Sequence, residues 1–146
     1  MAIRPPACRK PSRNGFTLIE LLLVLAIIGM ISAIAIPTFL GQRRRAKVIG
    51  DASANARVLA MQLETYKTDR GTYGTEGASV VWKASDATPP AGYESVQFTA
   101  KGNSKMDYTL DVGAGGVTYT ITVNEIGGGT KFYQINQAGT ELYRYQ

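Results

Sequence analysis

The sequence predicts an α+β fold: a long N-terminal helix whose second half packs against a C-terminal antiparallel sheet of about four strands. Three observations carry this. From Phe16 to Leu40 the chain runs 25 residues with Glu20 as its only ionisable side chain. Beyond it, Ile49, Ala52, Ala56, Leu59, Leu63 and Tyr66 recur at steps of three and four, one stripe of a helix. Then come segments of alternating apolar residues separated by glycine-rich breaks, the pattern of a meander. Five stretches follow: a basic leader (1–15), an apolar helix half (16–41), an amphipathic half (42–68), a helix-to-sheet loop (69–94) and the sheet (95–146).

The leader holds Arg4, Arg9, Lys10 and Arg13, four of the chain's 16 basic residues. The remaining 12 face 11 acids, so the net charge of +5 is mostly a leader effect and the rest of the chain is nearly neutral. A nucleic-acid binder needs clustered cations on a folded face, and only Arg43 to Lys47 forms a cluster after the leader. The chain has no histidine, and its single cysteine, Cys8, lies in the leader. An intrachain disulfide is impossible, and zinc, Ser/His/Asp and Cys/His chemistry are not expected. No cofactor is expected.

A helix of 25 residues reaches ~37 Å at ~1.5 Å per residue, more than the ~30 Å hydrocarbon core of a bilayer. A secretory signal peptide would explain the basic start, with Ala33-Ile34-Ala35 as its cleavage site. Three features oppose that reading: an acid at Glu20, an apolar run that continues past the site through Ile36 and Phe39, and Pro37 just behind the bond. A plain signal anchor is harder to exclude, because four basic residues precede the run and four follow it, leaving charge asymmetry with no vote on orientation. In either case Glu20 is a carboxylate in an apolar segment, where it costs ~2.5 kcal/mol or more when deep in lipid.

The stretch GFTLIELLLVLAIIGMISAIAIP, with a short basic leader ending in Gly15, Phe16 after it, Glu20 fifth from that junction and Pro37 beyond, resembles the N-terminus of type IV pilins and of the pseudopilins of type II secretion. The resemblance implies cleavage by a prepilin peptidase between Gly15 and Phe16, on the cytoplasmic side, and N-methylation of Phe16. It places the leader inside and the head outside, with an inner-membrane subunit pool and an extracellular or periplasmic filament. It further implies a platform protein and a cytoplasmic assembly ATPase as partners, other pilins among them, and membrane lipid around the subunit before assembly. Cleavage would give Glu20 a cation, the Phe16 amine, either of its own subunit or of a neighbour in axial stagger. The resemblance favours the neighbour, whose head-to-tail contact repeats without closing.

Gly29 and Pro37 punctuate the apolar half. Proline removes a helical hydrogen bond, so a kink is expected near Pro37, and the resemblance suggests that Gly29 to Pro37 unwinds in a filament core. In the second half, Asn55, Arg57 and Gln62 fall off the apolar stripe and are expected to face solvent or a neighbour. Arg43 to Lys47 would touch acidic headgroups before extraction, acids of another subunit afterwards, or only solvent.

Residues 69–94 are rich in Gly, Thr, Ser and Pro and read as loop. YKTDRGTYG is similar to the family's exit from the helix, though Gly74 stands where a proline is common. Trp82, the only tryptophan, reads as a plug for the small core. Four alternating segments follow: Val96, Phe98 and Ala100; Met106 to Val112; Val117 to Val123; and Phe132 to Ile135. The glycine runs between them open no helix and lack a P-loop's Lys-Ser/Thr ending, so they read as turns. Asp69, Asp86, Asp107 and Asp111 are too scattered for a calcium loop. With no cysteine after residue 15, the tail must be held by strand pairing and by aromatics such as Tyr133 and Tyr143. Those tyrosines with Arg144 could stack single-stranded nucleic acid, but cross-strand packing explains them more cheaply.

The expected function is a structural subunit, without catalysis, that polymerises into a type IV pilus. The ending YTITVN…INQAG resembles pilins and lacks the acidic, calcium-ligand-rich C-terminus of major pseudopilins. A secretion pseudopilin is the alternative, and a membrane-anchored periplasmic binding domain that never polymerises the remoter one.

Overall fold

The computed structural model describes residues 15–86, 88–102 and 105–145. Helix α1 runs from Leu18 to Arg70 without an interruption at Gly29 or Pro37. The Thr38 hydroxyl donates to the Ile34 carbonyl at 3.1 Å, one turn back and next to the carbonyl that Pro37 leaves without an N–H. The chain forms two compact units that meet in sequence between Leu40 and Gly41. In the first, the apolar side chains are exposed, among them Leu22, Leu25, Ile28 and Ile36.

The second unit contains the rest of α1 and five strands: β1 (Ser79–Trp82), β2 (Met106–Val112), β3 (Tyr119–Glu125), β4 (Lys131–Asn136) and β5 (Glu141–Arg144). They pair antiparallel in chain order, as a meander. The register aligns Trp82, Tyr108, Val123 and Tyr133 in one cross-strand row and Val80, Leu110, Ile121 and Ile135 in another. The period of two sends those rows to one face, where they form a core with Ala52, Ala56, Leu59, Leu63 and Tyr66 of α1. The apolar stripe thus lies where its spacing predicts, with Ile49 only half-buried. Full burial of Leu59 and Leu63 contributes about 1.5–3 kcal/mol each.

Three expectations need correction. The sheet has five strands where about four were expected, because β1 lies inside the stretch read as loop and the tail adds β5. Val96, Phe98 and Ala100 do not form a strand. Val96 and Phe98 are buried, but the backbone there bonds locally and to the helix: the Val96 N–H donates to the Tyr93 carbonyl at 2.9 Å, and the Gln62 amide donates to the Gln97 carbonyl at 3.2 Å. Finally, Asn55 faces the interior and Gln62 is half-buried, whereas Arg57 is exposed as expected. Asn55 is 4% exposed, and its amide nitrogen donates to the Lys101 carbonyl (2.8 Å) and the Tyr108 hydroxyl (3.0 Å) while its oxygen accepts the Lys101 N–H at 3.0 Å. Helix side chains supply the bonds that a neighbouring strand would otherwise give to residues 97–101.

Aromatic rings hold the helix-to-sheet connection. Tyr66 and Tyr93 stack at 4.9 Å, and Trp82 meets Tyr93 edge-on at 5.5 Å, so Trp82 does fill the core. Gly74 has φ +147°, and a Cβ there would strike the Tyr93 hydroxyl, which itself donates to the Tyr73 carbonyl at 2.7 Å. Proline, fixed near φ −65°, cannot occupy this position, which accounts for the glycine in YKTDRGTYG.

Candidate functional site

The first residues of the apolar segment form a compact polar start to an otherwise apolar helix. Phe16 is exposed, and α1 begins two residues later. Thr17 occupies the N-cap position. Its backbone N–H and its hydroxyl both donate to Glu20 Oε2, at 2.8 and 2.7 Å, while the Glu20 N–H donates back to the Thr17 hydroxyl oxygen at 3.3 Å. This is the reciprocal capping box that Thr-x-x-Glu before an apolar run specifies. Four N–H groups at a helix start lack helical partners, and in lipid each is expensive to leave bare; the Thr17 hydroxyl satisfies one of them, that of Glu20.

The geometry adds a partner that sequence reasoning missed. The sequence reading pairs Glu20 only with the Phe16 amine, yet Thr17 engages it within the subunit, and the pattern Thr17-Leu18-Ile19-Glu20 is the signal that could have shown it. The cap uses Oε2; Oε1 has no hydrogen-bond partner among the described residues. A carboxylate offers about four lone-pair sites, so the capped side chain keeps acceptor capacity on its other oxygen. Among the described residues, nothing lies within 4 Å of where a Cβ on Gly15 would stand. Gly29 and Pro37, the two candidate positions for unwinding, lie in the continuous helix more than two turns from this site.

In the second unit Glu64 is a carboxylate bonded by two tyrosines. It accepts the Tyr73 hydroxyl on both oxygens, at 2.8 and 2.9 Å, and the Tyr119 hydroxyl at 3.4 Å. Burial, then the Glu64 bond and charge, push the Tyr73 phenol up to about 12. The Asp107 carboxylate accepts the Ala84 N–H at 3.0 Å and the Gly127 N–H at 2.9 Å, tying two loops together. These acids are engaged in holding the fold. Among the described residues no group of three or more His, Cys, Asp or Glu side chains is placed to hold a metal.

A helix with a segment long and apolar enough to cross a membrane, joined to a small α+β unit, defines the class: an α+β protein with a long, apolar N-terminal helix and a compact head. Residues 10–36 match the family described as the prokaryotic N-terminal methylation motif. The chain is 33% identical over 106 residues to the type IV wide pilus major component PilA4 of Thermus thermophilus, covering 72% of this chain and 76% of that protein. It is 40% identical over 63 residues to the type IV major pilin protein PilA of Myxococcus xanthus, covering 43% and 28%. It is 31% identical over 90 residues to the type II secretion system core protein G of Klebsiella michiganensis, covering 58% and 61%. No match was found among solved structures. The chain belongs to the type IV pilin and pseudopilin family.

Proposed function

We propose that this chain is a structural subunit that polymerises into a type IV pilus after cleavage between Gly15 and Phe16. The observation that carries the proposal is Glu20, capped by Thr17 through one oxygen and, among the described residues, open at the other, at the start of an exposed apolar helix. The similarity to the major pilus component of Thermus thermophilus, which extends well beyond the N-terminal motif, supports it. Prepilin peptidase removes residues 1–15 and methylates the Phe16 amine. Residues 16–41 cross the inner membrane and later build the filament core, with Gly29 to Pro37 free to unwind there. Residues 42–146 form the head, outside the cytoplasm.

In the filament the Phe16 amine of an incoming subunit meets Glu20 Oε1 of a neighbour. A charge buried among apolar helices is tolerated when it is paired, so an added subunit docks in the stagger that supplies the pair. The assembly ATPase and the membrane platform protein drive extraction; the subunit performs no catalysis and holds no cofactor.

The test is Glu20→Ala in the full chain. It should be processed and inserted normally and fail to form filaments, and normal filaments from it would end the intersubunit role. N-terminal sequencing of the mature chain should find N-methyl-Phe16; Met1 would indicate an uncut anchor and Ile36 a secreted protein.

A second reading, a pseudopilin of type II secretion, draws on the similarity to core protein G. Deleting the gene separates the two: loss of surface filaments with export intact supports the pilus, and the converse supports the pseudopilus.

A further inference from the structure

Arg43, Arg44, Arg45 and Lys47 begin three residues after Leu40, the end of the apolar run, and no acid lies between Glu20 and Asp51. All four basic side chains are exposed on α1. At ~100° per residue, Arg43, Lys47 and Arg44 fall within an arc of ~100°, with Lys47 between the arginines, while Arg45 lies ~100° further round. Arg45 also has its own neighbour: its guanidinium stands 6.0 Å from the centroid of the Tyr145 ring. Arg43, Arg44 and Lys47 have no hydrogen bond or ion pair among the described residues.

Three like charges on one helical arc repel one another. They also work against translocation of the segment that carries them, and an anion that meets them afterwards relieves their mutual repulsion. The rise from Leu40 places them ~4.5 to ~10 Å beyond the last apolar residue. The polar layer of a bilayer occupies roughly 5–8 Å on each side of the hydrocarbon. Guanidinium forks match phosphate oxygens two at a time, and a lysine adds a point charge.

We propose that Arg43, Arg44 and Lys47 form a docking surface for the phosphodiester headgroups of anionic phospholipids in the leaflet on the head's side. The surface holds the subunit at a fixed depth until assembly withdraws it. The inference rests on the membrane-embedded reading of residues 16–41.

The experiment uses the full chain reconstituted in nanodiscs of mixed phosphatidylcholine and phosphatidylglycerol, with mass spectrometry of the lipid retained after mild extraction. The unaltered chain should retain phosphatidylglycerol several-fold above its share of the bilayer, and more weakly at high salt. Arg43→Gln/Arg44→Gln/Lys47→Gln should retain it several-fold less than the unaltered chain, and Arg45→Gln should behave as the unaltered chain does. Equal enrichment in the triple variant overturns the proposal, as does a loss in Arg45→Gln as large as in the triple variant. If the triple variant keeps its lipid but its filaments fall apart, the block is a subunit contact and the lipid surface is wrong. Failure of the unaltered chain to resist alkaline carbonate extraction from membranes would instead remove the membrane reading itself.

Discussion

The capping bond of Glu20 and the intersubunit charge proposed for it can be separated by one substitution. Glutamine keeps a carbonyl oxygen able to accept from Thr17 but carries no charge, so Glu20→Gln should leave the helix start intact while removing the partner for a neighbour's amine. Leaving one member of a buried pair unpaired costs about 3–5 kcal/mol, and filament yield should fall by at least ~100-fold with membrane insertion unchanged, as read by fractionation and electron microscopy. Thr17→Val should do the reverse, costing the helix start about 1 kcal/mol and leaving the charge in place, so that assembly weakens but persists. Asn55 shows the importance of hydrogen bonding alone, without charge, in the interior. Its amide serves both backbone groups of Lys101 and the Tyr108 hydroxyl, and Asn55→Leu leaves buried groups bare at about 1–3 kcal/mol. A drop in the urea midpoint of the detergent-solubilised chain measures that loss. A reader of the sequence sees a polar residue beside an apolar stripe and turns it outward. Nothing local reveals that residues 97–101 need partners from the helix.

Among the elements, those whose residues repeat over several turns or several pairs were legible: α1, with its apolar run and its stripe, and β2, β3 and β4, with their alternation. The short edge strands were not. β1 has four residues, SVVW, set among Gly, Thr, Ser and Pro that read as loop; β5 is exposed along its whole length and so shows no alternation. Residues 96–100 mislead in the opposite direction, because two alternate side chains dip into the core without a ladder. The tail illustrates how a terminus is held without a disulfide: β5 pairs with β4, the Tyr145 N–H donates to the Phe132 carbonyl at 2.9 Å, and the Tyr145 ring meets Phe132 edge-on at 5.9 Å. Arg45 adds its cation to that ring. Tyr145→Ala should therefore free β5 first, seen as faster amide exchange confined to residues 132–145, with global stability reduced by only about 1 kcal/mol. Exchange that stays slow in β5 would show that strand pairing alone suffices.

The whole chain combines a unit with its apolar side chains exposed and a unit with a conventional core, and only the second should carry a pH-dependent stability of its own. Its core is rich in tyrosine, and burial is the first cause that raises the phenols. Tyr73 and Tyr108 are pushed up to about 12, and Tyr119 rises further under burial and the Glu64 charge. The phenol of an unfolded chain loses its proton near pH ~10. Between that value and the folded one the unfolded state binds fewer protons than the folded state, so unfolding stability falls as pH rises. Below pH about 10 the contribution is fully present; it is lost progressively towards the folded value of about 12. Acid should leave this particular contribution untouched. The melting temperature of the detergent-solubilised chain should hold steady from neutrality to about pH 10 and then drop steeply, and once the tail phenols are removed by Tyr143→Phe/Tyr145→Phe, tyrosinate absorbance should appear together with unfolding and not before it. Tyr73→Phe should flatten the drop, since one raised phenol is gone, while lowering stability at neutral pH because Glu64 loses its closest donor. If tyrosinate forms near pH ~10 with the fold intact in a Tyr143→Phe/Tyr145→Phe background, the phenols are not sealed in the core and the packing of Tyr73 and Tyr119 around Glu64 is wrong.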